Sequence, residues 1–397
     1  MNKKPTVKLS ITSRFFVAAD NITKSYNNQL IMEGIGKIDI PKWQNAVKKA
    51  SDANVGSRYI CKKFSGGRRL IDSGITPEVR EVDGRYWGGM GPDNAPFLLD
   101  LLPPYDGPTC EVLIINGAPL RIAFRTNHTV MDGRGTLTWV DDIFRALRNE
   151  PVIGSDPTVS DYHFLNMVSS TPKPASTTYI APTGKADGDD NGDFIWQRKT
   201  IQGTFKKILP QTMLLIAKEA WTYSEGNVGI RVPVDLRPRQ KGTKTTNNLS
   251  NVFVINVMKG TTVRSLSDLI SKRLAEKKDG AFTLEDKITR YMPLKMYETF
   301  ITRAISRGMK TGLHRSSACV SNLGRLPLDK YTGGGFTPET VFFIPPSLNL
   351  FPLFIALTGS GQKVEIVATL PKVLATKGRI ESMMENIAEG IQSVSVV

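Results

Sequence analysis

His128 is followed four positions later by Asp132 and then by Gly133, in the stretch Asn127-His128-Thr129-Val130-Met131-Asp132-Gly133. An imidazole titrates near pH 6.5, so a histidine presented to a cleft can take a proton from a hydroxyl or amine at neutral pH. The aspartate can steady the loop by pairing with a distant arginine, and the glycine lets the backbone turn tightly. Taken alone, the spacing suits a structural histidine and an ordinary turn equally well. The two remaining histidines, His163 and His314, lack ligand spacing to another His, Cys or carboxylate, so ordinary structural or surface roles are expected and no metal site. Cys61, Cys110 and Cys319 are odd in number and widely spaced, which predicts neither a disulfide framework nor structural zinc, and a reducing compartment. Glycine-rich pieces at 66–67, 88–91 and 333–335 match neither a phosphate-binding loop nor a dinucleotide fingerprint, and no G-x-S-x-G occurs.

Elements must position His128. Glu111–Asn116 and Ala118–His128 read as strands flanking Asn116-Gly117, a strong short hairpin signal. Gly135–Asn149 follows as a helix, with Leu137, Val140, Ile143, Phe144 and Leu147 on one face. His128 therefore sits where a strand ends and a short loop leads to a helix. Upstream, Pro41–Ala50 is helical, with Trp43, Ala46, Val47 and Ala50 at matching spacing. The second half predicts helices at Ile208–Tyr223, Asp268–Lys278, Met292–Lys310 and Gly378–Gly390. Strands are expected at Val228–Val234, Asn251–Val257, Cys319–Asn322, Phe342–Ile344, Leu353–Leu357 and Val364–Thr369. Both halves mix the two element types, so the fold class is α/β (mixed α+β) with two lobes.

The 397 residues suffice for two or three domains, and 40% hydrophobic with 22% charged residues is ordinary for a globular chain. Ser169–Asp193, rich in Ser, Thr, Pro, Gly and Asp, reads as a linker or crossover between an N-terminal lobe, 1–168, and a C-terminal lobe, 194–397. The formal charge of +15 changes there. Residues 1–193 carry 23 Lys+Arg against 22 Asp+Glu, and residues 194–397 carry 29 against 15. Such asymmetry calls for an anionic partner. Arg303, Arg307 and Lys310 form a stripe opposite Phe300, Ile301 and Ile305. Lys272, Arg273, Lys277 and Lys278 form a second cluster, and Arg237, Arg239, Lys241 and Lys244 a third. Nucleic acid is not expected, because neither a motif nor interleaved aromatics accompany these clusters. No apolar leader or membrane-length run is evident, so a cytoplasmic, monomeric chain without a membrane span is expected.

The loop, read with its surroundings, resembles the superfamily of chloramphenicol acetyltransferase, peptide-synthetase condensation domains and related acyltransferases, whose motif is H-H-x-x-x-D-G. The second, catalytic His falls on His128, the Asp on Asp132 and the Gly on Gly133, while Asn127 replaces the first His. The resemblance continues in order along the chain. It takes in Gly36–Val47, Pro104–Arg125, Arg231-Val-Pro-Val-Asp-Leu-Arg237 with the Asn-containing 247–251, and Ser321-Asn322-Leu323-Gly324. It implies two similar lobes meeting at a V-shaped cleft, with the active site at their interface. A thioester donor, acyl-coenzyme A or an acyl group on an acidic carrier protein, would enter from one face and a small-molecule acceptor from the other. No tightly bound cofactor is implied. His128 would be the general base, with Asp132 paired to Arg237 or, second, Arg231. The Gly133 N–H and the region of Ser321 and Asn322 would contact the oxyanion or substrate, and Arg303, Arg307 and Lys310 the donor phosphate or carrier. The implied activity is a stand-alone, thioester-dependent acyltransferase in biosynthesis. The alternatives are a free-standing condensation domain forming an amide between carrier-bound groups, and a silent carrier-docking module.

Overall fold

The computed structural model describes residues 6–23, 26–64, 67–164, 177–276, 282 and 288–393. The first half runs β1 (Thr6–Lys8), α1 (Ile11–Thr23), β2 (Asn27–Gly36), α2 (Ile40–Ala53), β3 (Tyr59–Phe64), β4 (Gly67–Asp72), β5 (Glu78–Asp83), β6 (Cys110–Asn116), β7 (Leu120–Asn127) and α3 (Gly133–Leu147). The second half runs β8 (Tyr179–Ile180), β9 (Phe194–Gln202), α4 (Ile208–Tyr223), β10 (Val228–Asp235), β11 (Ser250–Val257), α5 (Val263–Ala275), α6 (Leu294–Thr311), β12 (Leu313–His314), β13 (Ala318–Arg325), β14 (Phe336–Ile344), β15 (Phe354–Ser360), β16 (Lys363–Pro371), α7 (Lys372–Ala375) and α8 (Arg379–Ser393).

Two sheets dominate. The first has the order β14-β2-β7-β6-β5, and the second β11-β10-β13-β15-β16-β9. In the first lobe, α2 and α3 cover one face. α2 starts where Asp39 accepts from the Lys42 N–H and Pro41 occupies the first turn, where it loses no intrahelical bond. It buries Trp43, Ala46, Val47 and Ala50, each large side chain contributing about 1.5–3 kcal/mol. β6 and β7 are buried on both faces, which explains the apolar runs Val112–Ile115 and Ile122–Phe124. Val112, Ile114, Ile122 and Phe124 face the helices, while Leu113, Ile115 and Ala123 meet Trp87, Phe97, Trp196 and Phe342 on the other side. In the second lobe, α4 and α8 bury Met213, Ile216, Ile380, Met384 and Ile387 with the apolar residues of the six-stranded sheet.

Most predicted elements are present with shifted ends. The β6–β7 hairpin forms, but it closes through Gly117, Ala118 and Pro119, and neither Asn116 nor Gly117 has the positive φ of a two-residue Asn-Gly turn. α5 occupies 263–275 in place of 268–278, and Lys277 and Lys278 lie outside the described residues. Residues 169–176 of the expected linker also lie outside them. In its described remainder Tyr179 and Ile180 are buried and β8 pairs with β12, and Arg379 donates to the carbonyls of Thr183 and Lys185, while 187–189 and 191–193 are exposed. Two apolar neighbours supply burial that the surrounding polar composition concealed.

Two features join the lobes. β14, from the second half of the chain, hydrogen-bonds to β2 from Phe336↔Gly36 to Ile344↔Gln29 and so completes the first sheet. Beside it runs a buried ladder of charge. Arg121 on β7 donates to Glu33 on β2 (2.7 Å), Arg198 on β9 donates to the other oxygen of Glu33 (2.9 Å), and Arg198 also donates to Glu365 on β16 (2.7 Å). Burial raises the Glu33 pKa, but the two guanidiniums outweigh it and hold the carboxyl below its usual range.

Candidate functional site

β7 ends at Asn127, and the chain turns at once into the His128 loop. Asn127 is fully buried and all its polar groups work. Its Nδ2 donates to Asp20 (2.7 Å) and to the Leu102 carbonyl (2.8 Å), and its Oδ1 accepts from the Thr129 N–H (2.8 Å). The asparagine thus anchors the loop from below. The His128 N–H donates to the Tyr26 carbonyl (2.8 Å), which fixes the backbone from the α1–β2 side.

Asp132 closes the loop and caps α3, its Oδ1 accepting from the Gly135 N–H at 2.7 Å. The same carboxylate takes Arg237 Nη2 on Oδ1 (3.0 Å) and Arg237 Nη1 on Oδ2 (3.3 Å), and Oδ2 also accepts from the Leu249 N–H (2.8 Å). Arg237 is itself fully engaged, with the carbonyls of Thr245 and Asn247 and with Asp235 (3.0, 2.7 and 2.9 Å). With its carboxylate consumed by these contacts, Asp132 serves as a structural tie between the lobes. Arg231 is placed elsewhere, over the Phe351 ring (5.5 Å) and donating to Ser316. The approach is close: a side chain on Gly135 would put its Cβ 2.1 Å from the Thr246 carbonyl oxygen.

The His128 ring is half-buried and lies on Phe16 of α1, with ring centroids 3.6 Å apart, and parallel to Tyr26 at 5.5 Å. Loss of water pushes its pKa down to about 4. The Asp132 charge, its own carbonyl oxygen and Asn248 oppose the drop without reversing it. The imidazole is therefore neutral at pH 7. Nδ1 is sealed from solvent and makes no hydrogen bond of normal geometry, which leaves Nε2 as the reachable nitrogen. Asn248 braces the loop from the second lobe. Its Nδ2 donates to the carbonyls of His128 (2.9 Å) and Thr129 (3.0 Å) and to Ser13 Oγ (3.0 Å), so one amide spans α1, the loop and the 245–249 segment.

The other sequence-flagged residues divide. Gly133 stands at the start of α3 with Leu323 and Phe343 in van der Waals reach of a Cβ built there. On β13, Ala318 and Val320 point into the second core, whereas Leu323 joins the first, so Ser321 shares the face of Leu323 toward the seam. Asn322 is turned outward, exposed, with Oδ1 accepting from the Gly324 N–H. The strand pleat places the two on opposite faces. Arg303, Arg307 and Lys310 lie on the exposed face of α6, while Ile301 and Ile305 pack into the cluster holding Phe16 and Tyr26. His314 is buried among β12 and α6, and desolvation pushes it down to about 4 as well. His163 Nδ1 is engaged with Ser160. Sequence reasoning missed Phe16, Tyr26 and Asn248. Their side chains are unremarkable in type, and the only hint was that 247–251 is rich in asparagine.

No protein-family model matches the chain, and no curated protein sequence matches it. Solved structures match it in fold along nearly its whole length. The starter condensation domain of the rhizomide synthetase RzmA, in complex with C8-CoA and Leu-SNAC, superposes with a TM-score of 0.68 at 14% identity, over 99% of this chain and 95% of that one. The first condensation domain of the calcium-dependent antibiotic synthetase, in complex with a substrate analogue, gives 0.66 at 13% identity over 98% and 96%. The epimerization domain from the third module of tyrocidine synthetase B gives 0.64 at 13% over 98% and 96%. The chain thus has the two-lobed fold of condensation and epimerization domains.

Proposed function

We propose that this chain, built on the condensation-domain fold, is an acyltransferase that moves an acyl group from a thioester to a hydroxyl or amine. The observation that carries the reading is a neutral histidine at the junction of the lobes. Its backbone is clamped from both lobes, and with Nδ1 sealed the chemistry is assigned to Nε2. Nε2 of His128 takes the acceptor proton as the acceptor oxygen or nitrogen attacks the thioester carbonyl carbon. The tetrahedral intermediate collapses by breaking the carbon–sulfur bond, and the departing thiolate takes the proton back from the imidazolium. No acyl-enzyme is needed. Gly133 N–H, at the start of a helix, and Ser321 are the donors proposed for the oxyanion. Asp132, Arg237 and Asn248 hold the loop, and no step passes through them. The low pKa keeps the base unprotonated, and the Asp132 charge favours the imidazolium once it forms.

The donor is proposed to be acyl-coenzyme A or an acyl group on an acidic carrier protein, with Arg303, Arg307 and Lys310 as the carrier-facing stripe. Incubation with panels of both donors and of simple amines and alcohols, read by mass spectrometry, tests the reading. Product is expected from the parent and none from a folded His128→Ala variant. Equal turnover by that variant would refute the mechanism. An amide formed only between two carrier-bound groups would identify a condensation domain acting in trans.

A further inference from the structure

After α3 the chain turns back at 152–156 and meets the loop Gln240–Lys244, and the two enclose a cavity of about 520 Å³. It lies outside the residues assigned to the reaction. Its walls differ in chemistry. Ile153, 55% exposed, and Val159 form an apolar side. Lys241 and Lys244 also line it, both exposed and with no ion-pair partner among the described residues. Ser155 is a further lining residue, with its Oγ sealed from solvent and without a hydrogen-bond partner. Asp156 is the one carboxylate in the lining. Its Oδ1 is taken by the N–H and hydroxyl of Thr158 (2.8 and 2.7 Å), contacts that hold its pKa below the usual range and keep it ionised.

Apolar side chains and two unpaired lysines in one lining suit an amphipathic anion. The volume is of the order of small-molecule sites, ~300–1,000 Å³, and exceeds what a lone phosphate fills. We propose that this cavity binds a nucleoside phosphate, with the lysines on the phosphate and the Ile153–Val159 side under the base. Such a ligand would act directly on the loop that holds the catalytic histidine. The Asp156 N–H donates to the Lys244 carbonyl (2.8 Å), Asn247 Nδ2 donates to the carbonyls of Pro157 and Val159, and the next two residues, Asn248 and Leu249, grip His128 and Asp132. Two sources supply this chemistry: the 3′-phosphoadenosine end of coenzyme A and a free nucleotide. Only the first rests on the acyl-transfer reading.

The test is calorimetric titration of the full chain with adenosine 3′,5′-bisphosphate, beside the Lys241→Ala/Lys244→Ala double variant and Ile153→Glu, with circular dichroism confirming that each is folded. Saturable binding is expected, at least tenfold weaker in both variants, with adenosine alone binding more weakly than the bisphosphate. No binding to the parent, or affinities within twofold across all three proteins, overturns the proposal. The sources separate in turnover. If the donor occupies the cavity, the double variant raises the Michaelis constant for acyl-coenzyme A and leaves that for the phosphate-free acyl-N-acetylcysteamine thioester unchanged. If a free nucleotide does, the bisphosphate alters the rate with the N-acetylcysteamine thioester. Absence of turnover with either thioester refutes the acyl-transfer reading while the titration still decides the cavity.

Discussion

Replacing Arg237 by alanine removes both guanidinium contacts to Asp132 and the donors to the carbonyls of Thr245 and Asn247. Breaking a buried pair from one side costs ~3–5 kcal/mol, because the remaining charge stays desolvated. Asp132 retains the N–H groups of Gly135 and Leu249, which places the loss near the low end, about 3 kcal/mol. Urea unfolding of the parent, Arg237→Ala, Asp132→Ala and the double variant measures this directly. The double variant should cost at least ~1 kcal/mol less than the sum of the singles, because each single leaves the other's charge stranded. Arg237→Lys restores the charge but not the fork and should recover only part of the loss. Turnover adds a second readout. A loosened loop misplaces Nε2, so kcat should fall about 10- to 100-fold with the Michaelis constants nearly unchanged. Additivity within ~0.5 kcal/mol, or a single-variant loss below that, would refute the view that this pair ties the loop to the second lobe.

The remaining predictions concern neighbouring parts of the same machinery. His128 and His314 are both held down to about 4 by burial, while an unfolded histidine titrates near 6.5, so unfolding takes up protons below that value. Stability should be full above about pH 6.5 and fall as pH drops toward 4, by about 2–3 kcal/mol for each histidine; a pH series of unfolding curves that is flat from 7 to 4.5 would contradict this. The free enzyme's kcat/KM should correspondingly show no acid limb near 6.5. Asn248→Ala removes three donated hydrogen bonds and should cost about 1–3 kcal/mol together with a drop in kcat, read by unfolding and initial rates. Gly135→Ala brings a methyl against the Thr246 carbonyl and should separate the loop from the 245–249 segment, losing activity even where circular dichroism shows a folded chain. Neutralising Arg303, Arg307 and Lys310 should raise the Michaelis constant for carrier-bound donors only, and an unchanged value would return the stripe to a solvated surface.

The local fold was largely legible because its cores are periodic. The face Leu137, Val140, Ile143, Phe144 and Leu147 announces α3, and Ile208–Tyr223 is a helix with the same ends in both readings. What resisted reading was pairing between distant segments. Nothing in Phe336–Ile344 says that its partner is β2, some 300 residues earlier, because a strand carries its partner's address in geometry and not in composition. α1 escaped for a related reason. Ser10 caps its start locally, its Oγ accepting from the Ser13 N–H, but the N–H groups at Ile11 and Thr12 are met by Asp161, far along the chain. At the site, residue types with chemistry of their own were visible, whereas Phe16 and Asn248 matter only through where the fold delivers them. The oxyanion candidates at 321 and 322 could be separated only once the pleat direction of β13 was known.

The placement of β14 bears on how this chain is made. About 210 residues separate the end of β7 from β14, which at ribosomal rates of ~5–20 residues per second is roughly 10–40 s of synthesis. Throughout that interval the nascent first lobe carries β2 as a bare edge, with the N–H and C=O groups that will later meet Phe336–Ile344 still unpaired. Glu33 lies on that same strand, beside Arg121, and is joined by its second arginine, Arg198, well before β14 is made. The acidic side chain pointing from an unfinished edge discourages another strand from docking there. A truncated chain ending before residue 336 should accordingly be a client of chaperones, not a free-standing half.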